Sequence, residues 1–397
     1  MRAVAVVDGE HYPDVVRDAL AELPYEFVGV LLAGGTEKLR GEPDYGVPIL
    51  DDLGDAEIVV DLSDEPVLDL ERRLAFASRV LAAGIPYVGA DFRFDPPPFH
   101  PFDRPSLAVI GTGKRVGKTA VTGHIARLLA RDRSVVVVAM GRGGPAEPEL
   151  VANPPSVEDL VARSRAGRHA ASDHLETAAL VGVPTVGCRR VGGGMAGAPF
   201  ASNVLEGAQL AASLEPDVVI FDGSGAAIPP IATSARVLVA HDLSGLNLYR
   251  ALVSDLVLSL TDLPGALRFS LRLRPLGPIE GRVAVFTTGP APVDHLEADI
   301  VHVSRNLARR DLLAEELARV DADTYLVEIK AAAIDTVVEH ALARGARVVF
   351  AGNDVDAPGL DDAILGLVPQ AVNGRRLDGA RQGTEAAALP APGAGIP

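Results

Sequence analysis

The stretch Leu107-Ala-Val-Ile-Gly-Thr-Gly-Lys-Arg-Val-Gly-Lys-Thr119 decides the fold. Apolar residues lead into a glycine-rich turn that closes on Gly-Lys-Thr, and Ala120–Arg131 continues with helical spacing of its apolar positions. Strand, glycine-rich turn, lysine and helix in this order make a P-loop. The glycines let successive backbone N–H groups converge on phosphate oxygens, and the helix start adds partial positive charge. Lys118 is placed for the β- and γ-phosphates of a nucleotide, and the Thr119 hydroxyl for Mg²⁺. The expected phosphate cradle is Gly111, Thr112, Gly113, Lys114, Arg115, Val116, Gly117, Lys118 and Thr119. It departs from the common spacing at position 112, where threonine replaces glycine and glycines stand on either side.

A P-loop uses a second acidic group at the end of a neighbouring strand to help hold the metal. Asp217-Val-Val-Ile-Phe-Asp222-Gly-Ser-Gly225 supplies Asp222 for that role, although a strand-end aspartate also serves simply to cap a turn. Two further apolar strands, Val135–Met140 and Thr185–Cys188, run into basic, glycine-rich turns. If the sheet is parallel, Arg142, Arg189 and Arg190 join Lys114, Arg115 and Lys118 on one edge. Arginine forks bind phosphate and carboxylate bidentately, so this edge suits a polyanionic second substrate. The plainer alternative is a set of solvated surface charges. Between these turns, Ser172, Asp173, His174 and Glu176 form a polar cluster. His174 is a candidate general acid or phosphate ligand, and helix capping by Ser172 or Asp173 is the competing account. Cys188 next to two arginines would be acidic if exposed, but it ends a strand of buried type, which favours packing.

Working outward, three α/β blocks are expected: 1–103, a P-loop domain over 104–275, and 276–380, followed by a disordered tail at 381–397. The first block alternates strands at Ala3–Val7, Phe27–Leu32, Ile58–Leu62 and Tyr87–Ala90 with helices at Pro13–Glu22 and Leu70–Ala83. The third repeats the alternation, with strands at Val283–Thr287, Ile300–Val303, Tyr325–Glu328 and Val348–Phe350. Such alternation predicts parallel sheets, that is, a central P-loop NTPase-type domain flanked by N- and C-terminal Rossmann-like α/β domains. A proline-rich connector, Asp95–Pro105, reads as a semi-rigid linker. Polar clusters follow three strands of the first block: Asp8, Glu10 and His11; Gly34, Gly35, Thr36 and Lys38; and Asp61, Ser63, Asp64 and Glu65. They suit either a second ligand-bearing edge or ordinary turn chemistry.

The bulk composition narrows the partners. Net charge is −16 over 397 residues, which opposes general binding to nucleic acid or anionic lipid. No apolar run is long enough to span a bilayer, and one cysteine excludes an intramolecular disulfide, so a cytoplasmic location is expected. A homodimer is a compatible quaternary state. Only Lys38, Lys114, Lys118 and Lys330 are lysines, whereas 33 residues are arginines. Two of the four lie in the phosphate loop, where a compact ammonium serves better than a wide fork, while chance placement is the competing account of Lys38 and Lys330.

Taken together, the motifs resemble cyclic 2,3-diphosphoglycerate synthetase. The matching segments are Asp8–Tyr12, Gly34–Leu39, Asp61–Pro66, Gly111–Thr119, Ala139–Pro145, Ala171–His174, Gly187–Arg190, Gly223–Pro230 and Lys330–Asp335, in order and in all three blocks. The Gly111–Thr119 loop is also similar to that of dethiobiotin synthetase. The resemblance implies an ATP- and Mg²⁺-dependent closure of 2,3-diphosphoglycerate to its cyclic anhydride. Lys118 and Thr119 would then serve ATP and Mg²⁺, Asp222 the metal, and Arg142, Arg189 and Arg190 the substrate. Two other readings stay open: a kinase or ligase for another small phosphorylated acid, and a nucleotide-driven switch or chaperone without a small substrate.

Overall fold

The structure, a computed structural model, describes residues 1–368 apart from Arg40 and Glu42; the tail expected at 381–397 lies outside the described residues. Contacts divide the chain into two compact units. Among the described residues, the first comprises Met1–Pro97 and Leu243–Val253, and the second Pro98–Asp242 and 254–368.

The first unit is built on a five-stranded sheet of β1 (Arg2–Val7), β2 (Glu26–Leu32), β3 (Ile58–Asp61), β4 (Tyr87–Val88) and β5 (Arg93–Phe94), in the order β2-β1-β3-β4-β5. All neighbours are parallel except the edge pair β4–β5. Ala3–Val7 is wholly buried, as a continuous apolar strand covered on both faces should be. Helix α1 (Pro13–Glu22) opens on proline, whose missing N–H costs nothing in the first turn. Helix α2 (Leu70–Ala82) is capped by Asp69, which accepts the Arg72 N–H at 2.9 Å.

Two acidic strand ends of this unit, Asp8 and Asp61, are engaged by partners within it. Asp8 is fully buried and accepts from the N–H groups of Glu10, His11 and Asp64 and from His11 Nδ1. Burial works against its charge, but the Asp64 N–H and His11 outweigh it and hold the carboxyl below the usual range. Asp61 accepts from the Ser63 N–H and hydroxyl, from Arg73 Nε at 2.7 Å and from the Tyr87 hydroxyl at 2.6 Å.

The second unit carries a nine-stranded sheet. Its strands are β6 (Ser106–Gly111), β7 (Val135–Gly141), β8 (Glu149–Val151), β9 (Thr185–Val191), β10 (Ala201–Ser202), β11 (Val218–Asp222), β12 (Ala235–Ala240), β13 (Leu256–Ser259) and β14 (Leu267–Arg268). The order is β10-β9-β7-β11-β6-β12-β13-β14, parallel from β9 to β14, with β8 and β10 antiparallel to β9. Helix α3 (Lys118–Leu129) follows β6, α4 (Val157–Arg165) and α5 (Asp173–Val181) follow β8, and α6 (Val204–Ser213) follows β10. The proline-rich connector is tied to this sheet from its second half onward. His100 donates its N–H to the Pro230 carbonyl at 3.0 Å, and the Phe102 ring meets Phe221 edge-on at 5.2 Å. The segment Leu243–Val253 leaves the sheet to join the first unit, where its helix α7 (Asn247–Leu252) packs on α2 and the Ser78 hydroxyl donates to the Gly245 carbonyl.

A second sheet of the same unit orders β15 (Ser270–Pro275), β16 (Arg282–Phe286), β17 (Asp299–Ser304), β18 (Thr324–Glu328) and β19 (Arg347–Asp356) as β15-β19-β18-β16-β17. Only β15 runs antiparallel. Helix α8 (Arg310–Leu317), a π-helical turn at Ala333–Val338 that continues into α9 (Glu339–Ala343), and α10 (Leu360–Leu367) complete it. Residues expected as separate blocks, 104–275 and 276–380, thus share one contact unit as far as they are described. Two hydrophobic clusters show why. Leu360 and Ile364 of α10 pack with Ile125 and Leu129 of the P-loop helix α3, and Leu160 and Leu175 of α4 and α5 pack with Phe286 and Tyr325 of the smaller sheet. Among the described residues, no helix is long and apolar enough to cross a membrane.

Candidate active site

β6 delivers the phosphate loop from the middle of the large sheet, between β11 and β12. Arg115, at φ 63°, is one of few non-glycine residues in the left-handed region, and Gly117, at φ 94°, caps α3 from the same region. Gly117 is required twice over: the backbone there disfavours any L side chain, and a Cβ would stand 2.8 Å from the Phe269 ring. The unexpected Thr112 has a structural task. Its N–H donates to the Val239 carbonyl at 3.1 Å and its hydroxyl accepts the His241 N–H at 3.0 Å, so it fastens the loop to the end of β12.

Lys118 opens α3 and places its Nζ 2.5 Å from Asp222 Oδ1. Asp222 ends β11 beside β6, is 3% exposed, and also accepts the Thr122 hydroxyl at 2.8 Å. Lysine, strand-end aspartate and the Gly113–Thr119 loop line one cavity of about 770 Å³. That is within the range of small-molecule sites and ample for a nucleotide with a small second substrate.

The other expected cations divide. Lys114, Arg115 and Arg142 line this cavity. Arg190 stands behind it: Nη2 donates to the Ser224 carbonyl at 2.8 Å and Nη1 to the Gly192 carbonyl at 2.7 Å, which braces the Gly223–Gly225 turn that lines the cavity. Burial and then Arg142 hold its guanidinium below the ordinary value. Arg189 is exposed and lies outside the lining, because β9 continues to Val191 and consecutive strand residues point to opposite faces. His174 is not brought to the cavity either. It is 2% exposed, its ring packs beneath Gly187, and its Nδ1 lies 3.2 Å from the Ser172 hydroxyl. Burial pushes it down to about 4, so it is neutral at physiological pH. Ser172 takes the N-cap position of α5, but its hydroxyl serves His174 rather than the helix. Cys188 is buried, and burial pushes its thiol up to about 12.

The residue next to His174 does reach the cavity. Asp173 opens into it, and its carboxyl is raised by the surrounding protein and by Asp222, against the pull of Lys118, Lys330 and Arg142. One helical turn on, Glu176 is 6% exposed and lies 3.4 Å from Lys330 Nζ. Burial pushes Glu176 up to about 7 despite that lysine, whereas Lys330 is raised chiefly by Glu176. The facing wall comes from the smaller sheet through Thr288, Gly289, Glu328, Lys330 and Asn353. No sequence spacing marks this wall; its signals are the Lys330–Asp335 match and Lys330 itself, a rare lysine just past the end of a predicted strand.

A P-loop with its lysine on a strand-end aspartate, opening on a cavity closed by a second α/β sheet, defines a nucleotide-using enzyme of the P-loop class. Comparisons with known proteins narrow it. Models of the P-loop, C-terminal and N-terminal domains of cyclic 2,3-diphosphoglycerate synthetase match residues 106–264, 275–354, and 2–55 with 52–95, respectively. The cyclic 2,3-diphosphoglycerate synthetase of Rubrobacter xylanophilus is 45% identical over 95% of this chain and 99% of its own length; that of Thermococcus gammatolerans is 40% identical over 96% and 100%. Among solved structures, LpxK from Aquifex aeolicus in complex with ATP aligns with a TM-score of 0.45 at 14% identity, covering 76% of this chain and 96% of that one. The chain belongs to the cyclic 2,3-diphosphoglycerate synthetase family.

Proposed function

We propose that the protein uses ATP to close 2,3-diphosphoglycerate into its cyclic anhydride, releasing ADP and phosphate. The observation that carries this reading is the meeting of Lys118 with Lys114, Arg115 and Arg142 on one cavity large enough for both substrates. An oxygen of one substrate phosphate attacks the γ-phosphorus and ADP departs. An oxygen of the other substrate phosphate then attacks the phosphorus that carries the new group, inorganic phosphate departs, and the P–O–P bridge closes the ring. Every step brings like charges together, so the cations' task is to neutralise and orient. Lys118 exchanges Asp222 for phosphate oxygens as the nucleotide enters. Arg142 faces the transferred group from the end of β7, and Arg190 positions the turn beneath it. Arg189 and His174, away from the cavity, have no part in this scheme.

The residues present fit Mg²⁺. Thr119 and Asp222 offer oxygen donors at the phosphate loop, and among the described residues no cluster of three or more His, Cys, Asp or Glu forms a protein cage for a metal. An ion held by few protein oxygens and completed by phosphates and water is the usual form of Mg²⁺ in such sites. When bound, it supplies further neutralisation of phosphate charge. We place the protein in the cytoplasm on the strength of its single cysteine.

Phosphorus NMR of a mixture of ATP, Mg²⁺ and 2,3-diphosphoglycerate tests the proposal. The expected result is a cyclic anhydride signal, with ADP release that depends on the diphosphoglycerate. Lys118→Ala should lower that turnover by roughly a hundredfold or more, the scale on which removing one preorganised charge acts. ATP consumption without cyclic product would point instead to another acid substrate or to a switch.

A further inference from the structure

We propose that the small polyanionic acid is seated at the carboxyl ends of β16 and β18, where Lys330 receives one of its anionic groups opposite the phosphate loop. The inference rests on the synthetase reading and adds the place and the residue.

The topology points there first. In the smaller sheet, β17 lies on one side of β16 and β18 on the other. The chain therefore reverses its winding between β16 and β18, and in open parallel sheets ligands settle in the crevice outside such a reversal. The residues at these two strand ends, Thr288 and Gly289 after β16, Glu328 as the last residue of β18 and Lys330 beyond it, line the same cavity as Lys118.

The local backbone turns Lys330 inward. Its N–H donates to the Glu328 carbonyl at 2.9 Å, a tight reversal, and Ala331 follows in the left-handed region at φ 48°. An alanine held there is a mark of function more than of comfort. The carboxylates around Lys330 are unequally available. Glu328 is committed, since Oε2 accepts the Thr288 N–H at 2.8 Å and its hydroxyl at 3.0 Å, and Oε1 accepts Asn353 Nδ2 at 3.2 Å. Glu176 is the ion-pair partner of Lys330, at the long separation of 3.4 Å. An ammonium has three donors, so one loose contact leaves capacity for an incoming anion.

Charge placement completes the case. Asp173 feels both Lys118 and Lys330, so the two lysines flank the same part of the cavity. A molecule bearing two phosphates and a carboxylate can then direct one end to each lysine, with the reacting phosphate toward the nucleotide. A compact ammonium at 330 within a chain that otherwise prefers arginine is consistent with a close, crowded contact.

Steady-state kinetics of the full chain, with ATP and 2,3-diphosphoglycerate varied separately, test the inference through two variants. Lys330→Met should raise KM for 2,3-diphosphoglycerate at least tenfold and leave the affinity for a non-hydrolysable ATP analogue within twofold. The double variant Lys330→Met with Glu176→Gln removes both charges of the pair, which guards against misfolding from an unpaired carboxylate. It should keep the raised KM. An unchanged KM in either variant, recovery of normal KM in the double variant, or a parallel loss of nucleotide affinity overturns the assignment. If the unmodified protein forms no cyclic product, the functional reading fails and takes the inference with it. Normal turnover with an unaffected Lys330→Met variant removes the seat alone.

Discussion

His174 shows how a residue that looks catalytic can be a stability determinant. The ring is sealed in the core and held neutral, with its pKa moved from about 6.5 down to about 4. The unfolded chain binds a proton there as pH falls below its ordinary value, while the folded chain refuses it until much lower pH. The stability this group contributes is therefore complete above pH 6.5 and drains away as pH falls toward 4. Replacing it by asparagine, which keeps a polar atom near Nδ1, should flatten that dependence. Between pH 7 and pH 5 the original protein should lose about 2 kcal/mol more than His174→Asn, measured by urea denaturation. Equal losses in the two proteins would remove this account. Asp173 and Glu176, on the same helix, meet the opposite fate, since both line the cavity. Adjacent letters of the sequence thus separate into core and site according to the face of α5 on which each falls.

At the scale of elements, the phosphate loop was legible because its pieces are local. Expected and observed strand and helix bounds there agree within about two residues, as is usual for such assignments. What was hidden came from elements whose partners are distant in sequence. Ser270–Pro275 alternates apolar and polar residues like a strand, yet its partner β19 begins some seventy residues later. The Glu176–Lys330 pair depends on α5 of the large sheet meeting the end of β18 in the small one, which no spacing in the sequence encodes. Arg189 and Arg190 were misplaced for a nearer reason: β9 runs three residues further than its apolar core, and the extension sends the two side chains apart. The glycines of the phosphate loop are also unequal. Gly117→Ala forces a Cβ onto Phe269 at a left-handed position, whereas a Cβ on Gly113 meets nothing within 4 Å. Gly117→Ala should cost about 1–3 kcal/mol in thermal or chemical denaturation. Gly113→Ala should stay within about 0.5 kcal/mol. Similar losses at both glycines would contradict this assignment of the strain.

At the scale of the molecule, the P-loop sheet and the C-terminal sheet belong to one compact unit, joined by α10 on α3 and by the shared core beneath α4 and α5. The His124–Asp361 contact at 2.7 Å and the Arg127–Asp354 contact at 3.3 Å reinforce that junction. Such a union keeps the two walls of the cavity in register. It also means that the large sheet should open only when most of the second unit opens. Cys188 lies in that sheet, between β7 and β10, against Gly207 of α6, and is the chain's single cysteine. With its thiol enclosed and pushed up to about 12, it should resist a thiol reagent under native conditions and react at once in denaturant. Fast native labelling would contradict the enclosed β9. Slow labelling turns the same atom into a built-in stopwatch: the rate at which the reagent gains entry counts how often the sheet breathes, and ATP or the acid substrate should make those breaths rarer.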